Sequence, residues 1–141
     1  MKKLLLLMIM IIFPLSSFSE VTFETYCFTS GGEKPIKFEM RTYFDTFSKW
    51  TGGYVKYYNS KSVISITLKD TQNENLSVGR PDQTTRTWLE ISNEKISGAY
   101  EMMSQGASVY SMTYKNAATH KEFGFFLDPN VDFNSGMSCK W

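Results

Sequence analysis

The sequence predicts an all-β chain, a small antiparallel β-barrel of about seven to eight strands, with a two-sheet β-sandwich as the alternative packing. Three observations carry this. Apolar residues recur with a period of two in run after run, the runs are parted by turn residues, and no 3.6-residue period persists beyond a turn or two. Short strands in this number leave sheet edges that a single domain hides most simply by closing the sheet.

The first 19 residues stand apart from that pattern. Lys2 and Lys3 form a positive start, Leu4 to Leu15 an apolar stretch, and Ser17-Phe18-Ser19 a small-x-small cleavage site, so residues 1–19 read as a signal peptide. Leu4 to Leu15 is too short to span a bilayer, and no later run is long and apolar enough to do so. Residues 20–141 are then expected to form one exported β-barrel domain, periplasmic or secreted. Without Lys2 and Lys3 the 15 basic residues fall to 13 against 14 acidic, a net charge of −1 and no basic surplus for nucleic acid. The two cysteines, Cys27 and Cys139, suit a single bridge in an oxidising compartment, closing the domain near both ends.

Each strand has its own warrant. Ile36, Phe38, Met40, Thr42 and Phe44 alternate with Lys37, Glu39, Arg41 and Tyr43. Gly52-Gly53 is expected to break the chain before Tyr54 to Tyr58, and Asn59-Ser60 to turn it into Val63 to Leu68, a hairpin. Asp70 to Pro81 lacks apolar periodicity and reads as a long surface loop. Thr85, Thr87, Leu89 and Ile91 alternate with Arg86, Trp88 and Glu90, and Ser92-Asn93-Glu94 makes the next turn. Ile96 to Met103 and Ala107 to Lys115 flank Ser104-Gln105-Gly106, a three-residue loop that would set Tyr100 opposite Tyr110, Gly98 opposite Met112 and Ser97 opposite Thr113. Lys121 to Leu127 is the last strand, ended by Asp128-Pro129-Asn130.

Chemistry is sparse. His120 is the only histidine and reads as a solvated loop residue; neither Gly-x-Ser-x-Gly nor Ser-x-x-Lys is present. Glu90, Glu94, Glu101 and Glu122 read as the polar outer face of the sheet. Asp128, Asn130, Asp132 and Asn134 space their oxygens like the start of a calcium loop, but Pro129, Phe133 and Cys139 break the pattern. No metal, cofactor or enzymatic activity is expected.

Ser97-Gly98-Ala99-Tyr100, the stretch Tyr110 to Thr119 and the two outlying cysteines together distantly resemble the bacterial periplasmic and membrane-bound inhibitors of c-type lysozyme. Here one residue separates the glycine and tyrosine of the first motif, and Asn116 follows the lysine, where that family has two residues and a glycine. The resemblance implies a small barrel that occludes the active site of a peptidoglycan-cleaving lysozyme. It makes Ser97, Gly98, Tyr100 and Lys115 the partner-binding residues. In the expected register Ser97 and Lys115 are diagonal neighbours on one face, so a hydroxyl and an ammonium could address the two carboxylates of a muramidase. Two other readings accompany it: a periplasmic immunity protein against a secreted antibacterial effector toxin, and a small-ligand barrel, which requires an interior not filled by Ile64, Ile66, Leu68, Tyr100 and Met112.

Overall fold

The computed structural model describes residues 20–131 and 138–141; the expected signal peptide, and Asp132 and Asn134 of the calcium-loop-like stretch, lie outside the described residues. Eight strands form: β1 (Val21–Thr29), β2 (Lys37–Asp45), β3 (Thr51–Tyr57), β4 (Ile64–Glu74), β5 (Gln83–Ser92), β6 (Lys95–Gln105), β7 (Ser108–Asn116) and β8 (Glu122–Leu127). Each pairs antiparallel with the next, and β8 returns to β1, closing a barrel. The closed sheet decides against the sandwich.

Alternation sends every second side chain inward. The buried set draws on all eight strands: Phe28, Phe38, Met40, Val55, Ile66, Trp88, Tyr100, Met102, Met112 and Phe125. Phe38 is the hub, its ring centroid 4.9 Å from Phe125, 5.2 Å from Phe28 and 5.6 Å from both Tyr57 and Tyr100. Aromatic rings at such spacing fill the waist of the barrel with large, stiff groups. The middle of the interior is therefore packed, with Ile66, Tyr100 and Met112 inside it and Leu68 packed against it.

Two segments differ from the sequence expectation. Gly52 and Gly53 lie within β3, where a Cβ on Gly53 would strike the Arg41 carbonyl and one on Gly52 the Trp50 ring. These glycines permit close approach of neighbouring groups; they do not break the strand. The polar run after Leu68 is also strand, with Asp70 to Glu74 pairing with Gln83 to Thr87. Its apolar period fades because the sheet here extends past the packed waist, so backbone pairing holds it without a buried face. The surface loop shrinks to residues 75–82.

Closure is narrow. Only Phe28 with Leu127 and Thr29 with Phe126 pair between β1 and β8, followed by an Asp128 N–H donating to the Cys27 carbonyl at 2.8 Å. Covalent and ionic links reinforce the same place. Cys27 is bonded to Cys139, with Cα atoms 5.7 Å apart, and the Lys37 ammonium lies 3.0 Å from the buried Asp128 carboxylate. Glu39 anchors the returning segment, accepting from the Cys139 N–H at 2.8 Å and from the Tyr54 hydroxyl at 2.8 Å. Burial alone would raise the Asp128 pKa, but the Asn130 N–H and Lys37 outweigh it and hold the group below its ordinary value.

Two outcomes are expected. The disulfide closes a loop of 112 residues, so reduction should lower the Tm clearly, with about 4 to 5 kcal/mol as the upper bound from chain entropy; calorimetry with and without reductant checks this. A carboxyl whose folded pKa is depressed contributes stability that is present above its unfolded pKa and lost as pH falls through the folded value. Asp128→Asn should therefore cost about 2 kcal/mol at neutral pH and flatten the loss of stability as pH falls below about 4 in urea titrations.

Candidate functional site

The site begins with a bulge. Glu90 pairs with Gly98 but Ile91 pairs with Ile96, which leaves Ser97 as an extra residue of β6. Two residues then oppose one, and the Ser97 side chain turns toward Glu90. Glu90 itself shares the inward face of β5 with Trp88 and is 5% exposed, which corrects the expectation that it sits on the polar outer face.

Hydroxyl groups surround that carboxylate. Ser97 Oγ donates to Oε1 at 2.7 Å, the Tyr114 hydroxyl to Oε1 at 3.1 Å, and the Tyr100 hydroxyl to Oε2 at 2.6 Å. The Tyr57 and Tyr100 hydroxyls meet at 3.0 Å. Among the described residues no cationic group lies within salt-bridge distance of Glu90, so these donors alone compensate its removal from water. Burial first, then the Glu90 charge, pushes the Tyr114 pKa up to about 12, while burial and Tyr57 raise that of Tyr100 further. Both phenols stay protonated and remain donors. Gly98 is required because a Cβ there would strike the Tyr114 ring that crosses it.

The β6–β7 register also differs from the expected one. A two-residue loop, Gly106-Ala107, joins Gln105 to Ser108, and Tyr110 is bulged out between Val109 and Ser111. Gly106 sits at φ 58°, where glycine is unstrained. Tyr100 consequently faces Tyr114, Gly98 faces Asn116 and Met102 faces Met112. Each of these partners moves by four residues, an even number, so Tyr100, Met102 and Met112 keep the expected inward face while their neighbours change; beyond the bulge Tyr110 is exposed and Val109 packs against the core instead.

The sequence-derived residues are therefore divided. Ser97, Gly98 and Tyr100 come together around Glu90 inside the barrel. Lys115 does not join them: it pairs with Ala99 on the outer face, its ammonium 3.0 Å from Glu122, with both side chains more than half exposed. At this end of the barrel the exposed residues of the turns and strand ends include Lys34, Lys61, Lys95 and Lys121 as well as Lys115, against Glu33, Glu94 and Glu122. Asn116 shapes the adjoining turn, its side-chain carbonyl accepting from the Ala118 and Thr119 N–H groups. Sequence reasoning missed Glu90, Tyr57 and Tyr114. The available signal was Gly98, a glycine inside a strand two residues before Tyr100, which a ring crossing the strand would explain.

Removing one donor should be felt in proportion to burial. Tyr100→Phe should cost about 2 to 3 kcal/mol, because it strips Oε2 and also leaves Tyr57 without its partner, whereas Tyr114→Phe should cost about 1 kcal/mol. Urea unfolding of the single variants and of each combined with Glu90→Gln checks the coupling. Additivity across those cycles would contradict a shared network.

No family model matches the chain, and neither a curated protein nor a solved structure matches it.

Proposed function

We propose that the protein is an exported binding barrel that inhibits a peptidoglycan-cleaving muramidase by docking its lysine-bearing end over the active-site cleft. The observation that carries the reading is the outer rim formed by Lys61, Lys95, Lys115 and Lys121, exposed on turns and strand ends that the barrel holds in fixed positions. A muramidase works with two carboxylates, about 5 to 5.5 Å apart in retaining enzymes, so its cleft presents negative charge to such a rim. The resemblance of Tyr110 to Thr119 to the lysozyme-inhibitor motif supports the same end. On this reading Lys115 enters the cleft, exchanging its exposed Glu122 partner for a desolvated one. Ser97 serves from behind: its hydroxyl is taken up by Glu90, and it supports the strand that carries Ala99 opposite Lys115.

Binding of the mature protein to c-type lysozymes, with inhibition of muramidase activity, tests this directly. Lys115→Ala should weaken binding by several kcal/mol, since truncation leaves the target's carboxylate buried without a partner. Lys121→Ala should weaken it by less than about 1 kcal/mol, as an exposed rim charge would. Lys69→Ala, on β4 away from this rim, should leave affinity unchanged. Equal small losses at Lys115 and Lys121 would reject insertion. Inhibition of one effector toxin, with no action on general lysozymes, would instead identify an immunity protein using the same surface.

A further inference from the structure

At the end of the barrel opposite the lysine rim, a cavity of about 530 Å³ opens from the packed waist to solvent. Leu68 and Trp88 line it beside Phe44, Thr42 and Thr51, and Arg86 and Thr71 lie at the same mouth. The volume falls within the range of small-molecule sites, and the mixture of apolar wall and a few polar groups is typical of them.

Arg86 is the group in this cavity placed to meet a ligand. It stands two residues before Trp88 on β5 and hence on the same face. The Trp88 ring lines the cavity, while its Nε1 is enclosed by protein, without a hydrogen-bond partner among the described residues.

A bulge determines what faces Arg86. Leu68 pairs with Trp88, and an unbroken ladder would next set Asp70 opposite Arg86 on the interior face. Instead Lys69 is inserted, Asp70 pairs with Thr87, and Thr71 takes the place opposite Arg86. Asp70 points away to the exposed side, where it accepts from Gln72 at 2.8 Å. The fold thus keeps a carboxylate from the interior position that would have neutralised the guanidinium. Arg86 has the Tyr26 hydroxyl as a neighbour, and that hydroxyl donates to Glu24 Oε2 at 2.6 Å. Among the described residues, no carboxylate lies within 4.0 Å of its nitrogens.

We propose that this cavity binds a small amphipathic monocarboxylate, its apolar part against Leu68, Phe44 and the Trp88 ring and its carboxylate directed to Arg86. A carboxylate is a planar acceptor that suits the guanidinium fork. The charge of the ligand is limited by Glu24, which lines the same mouth and holds negative charge there. A single negative charge satisfies Arg86 without strong repulsion from Glu24. The proposal does not rest on the muramidase reading, which uses the other end of the barrel.

Octanoate is the probe, with octylamine and octanol as chain-matched controls of opposite and zero charge. In ¹H–¹⁵N spectra of the folded protein, the three indole N–H signals of Trp50, Trp88 and Trp141 are followed, with Trp88 assigned from Trp88→Phe. Octanoate should shift the Trp88 signal saturably, and octylamine and octanol should not. Arg86→Gln should weaken octanoate at least tenfold and Arg86→Lys by less. Thr71→Phe, at an exposed position that would fill the mouth, should abolish the shift and gives a readout should the Arg86 variants fold poorly. No saturable shift up to about 10 mM octanoate, equal shifts from the three probes, or an unchanged affinity in folded Arg86→Gln would overturn the proposal.

Discussion

Phe28 and Thr29 pair with Leu127 and Phe126, and this two-rung ladder is the strand pairing that turns an open eight-stranded sheet into a barrel. The other strand pairs share at least four residue pairs each, so closure is the weakest join by backbone pairing alone. It is held by what gathers around it. Phe28 places its ring in the core against Phe38, Cys27 beside it is fixed covalently, and Asp128 beyond Leu127 is held by Lys37. Hydrophobic and covalent contacts from Phe28 and Cys27 thus converge with the Lys37 to Asp128 ion pair beside the end of β1, and the waist can be packed because the sheet cannot splay there.

Three single-residue insertions decide which polar groups the barrel admits. The bulge at Ser97 brings a hydroxyl inward to meet Glu90, the one at Lys69 sends Asp70 outward, and the one at Tyr110 turns Val109 toward the core. Each moves one strand by one residue against its neighbour, which in a structure of period two exchanges inside for outside. The two ends of the interior are thereby given opposite character. One is closed by an anion surrounded with hydroxyls; the other keeps a guanidinium facing open space.

The same insertions explain how far the sequence could be read. Alternation at Phe38 and Met40, at Ile64 to Leu68 and at Phe125 is a local property, and it revealed strands without knowledge of partners; their number, and the edges they would leave, favoured the barrel over the sandwich. The bridge between Cys27 and Cys139 was legible from the count and placement of the cysteines. Partner choice was not. Thr85 to Ile91 offers two alternating sets, and the set with Leu89 and Ile91 looks as apolar as the set with Trp88; only contact with Tyr100 and Leu68 selects Arg86, Trp88 and Glu90 for the interior. β1 was not recognised as a strand of its own, because Val21 to Glu24 are exposed on both faces and show no burial pattern. The Ser97-to-Tyr100 motif was visible, but its meaning depended on Glu90, which lies on another strand.

The bridge at the seam also governs how the molecule would respond to mechanical load. A force applied to the chain on either side of the Cys27 to Cys139 link runs along Val21 to Tyr26 of β1 and then through the covalent bond, and leaves the rest of the barrel slack. Strands β2 to β8 would feel tension along the chain only after reduction, and the two rungs joining β1 to β8 would then come under load. The disulfide therefore separates two mechanical regimes, a shielded barrel and one that unzips at its narrowest join.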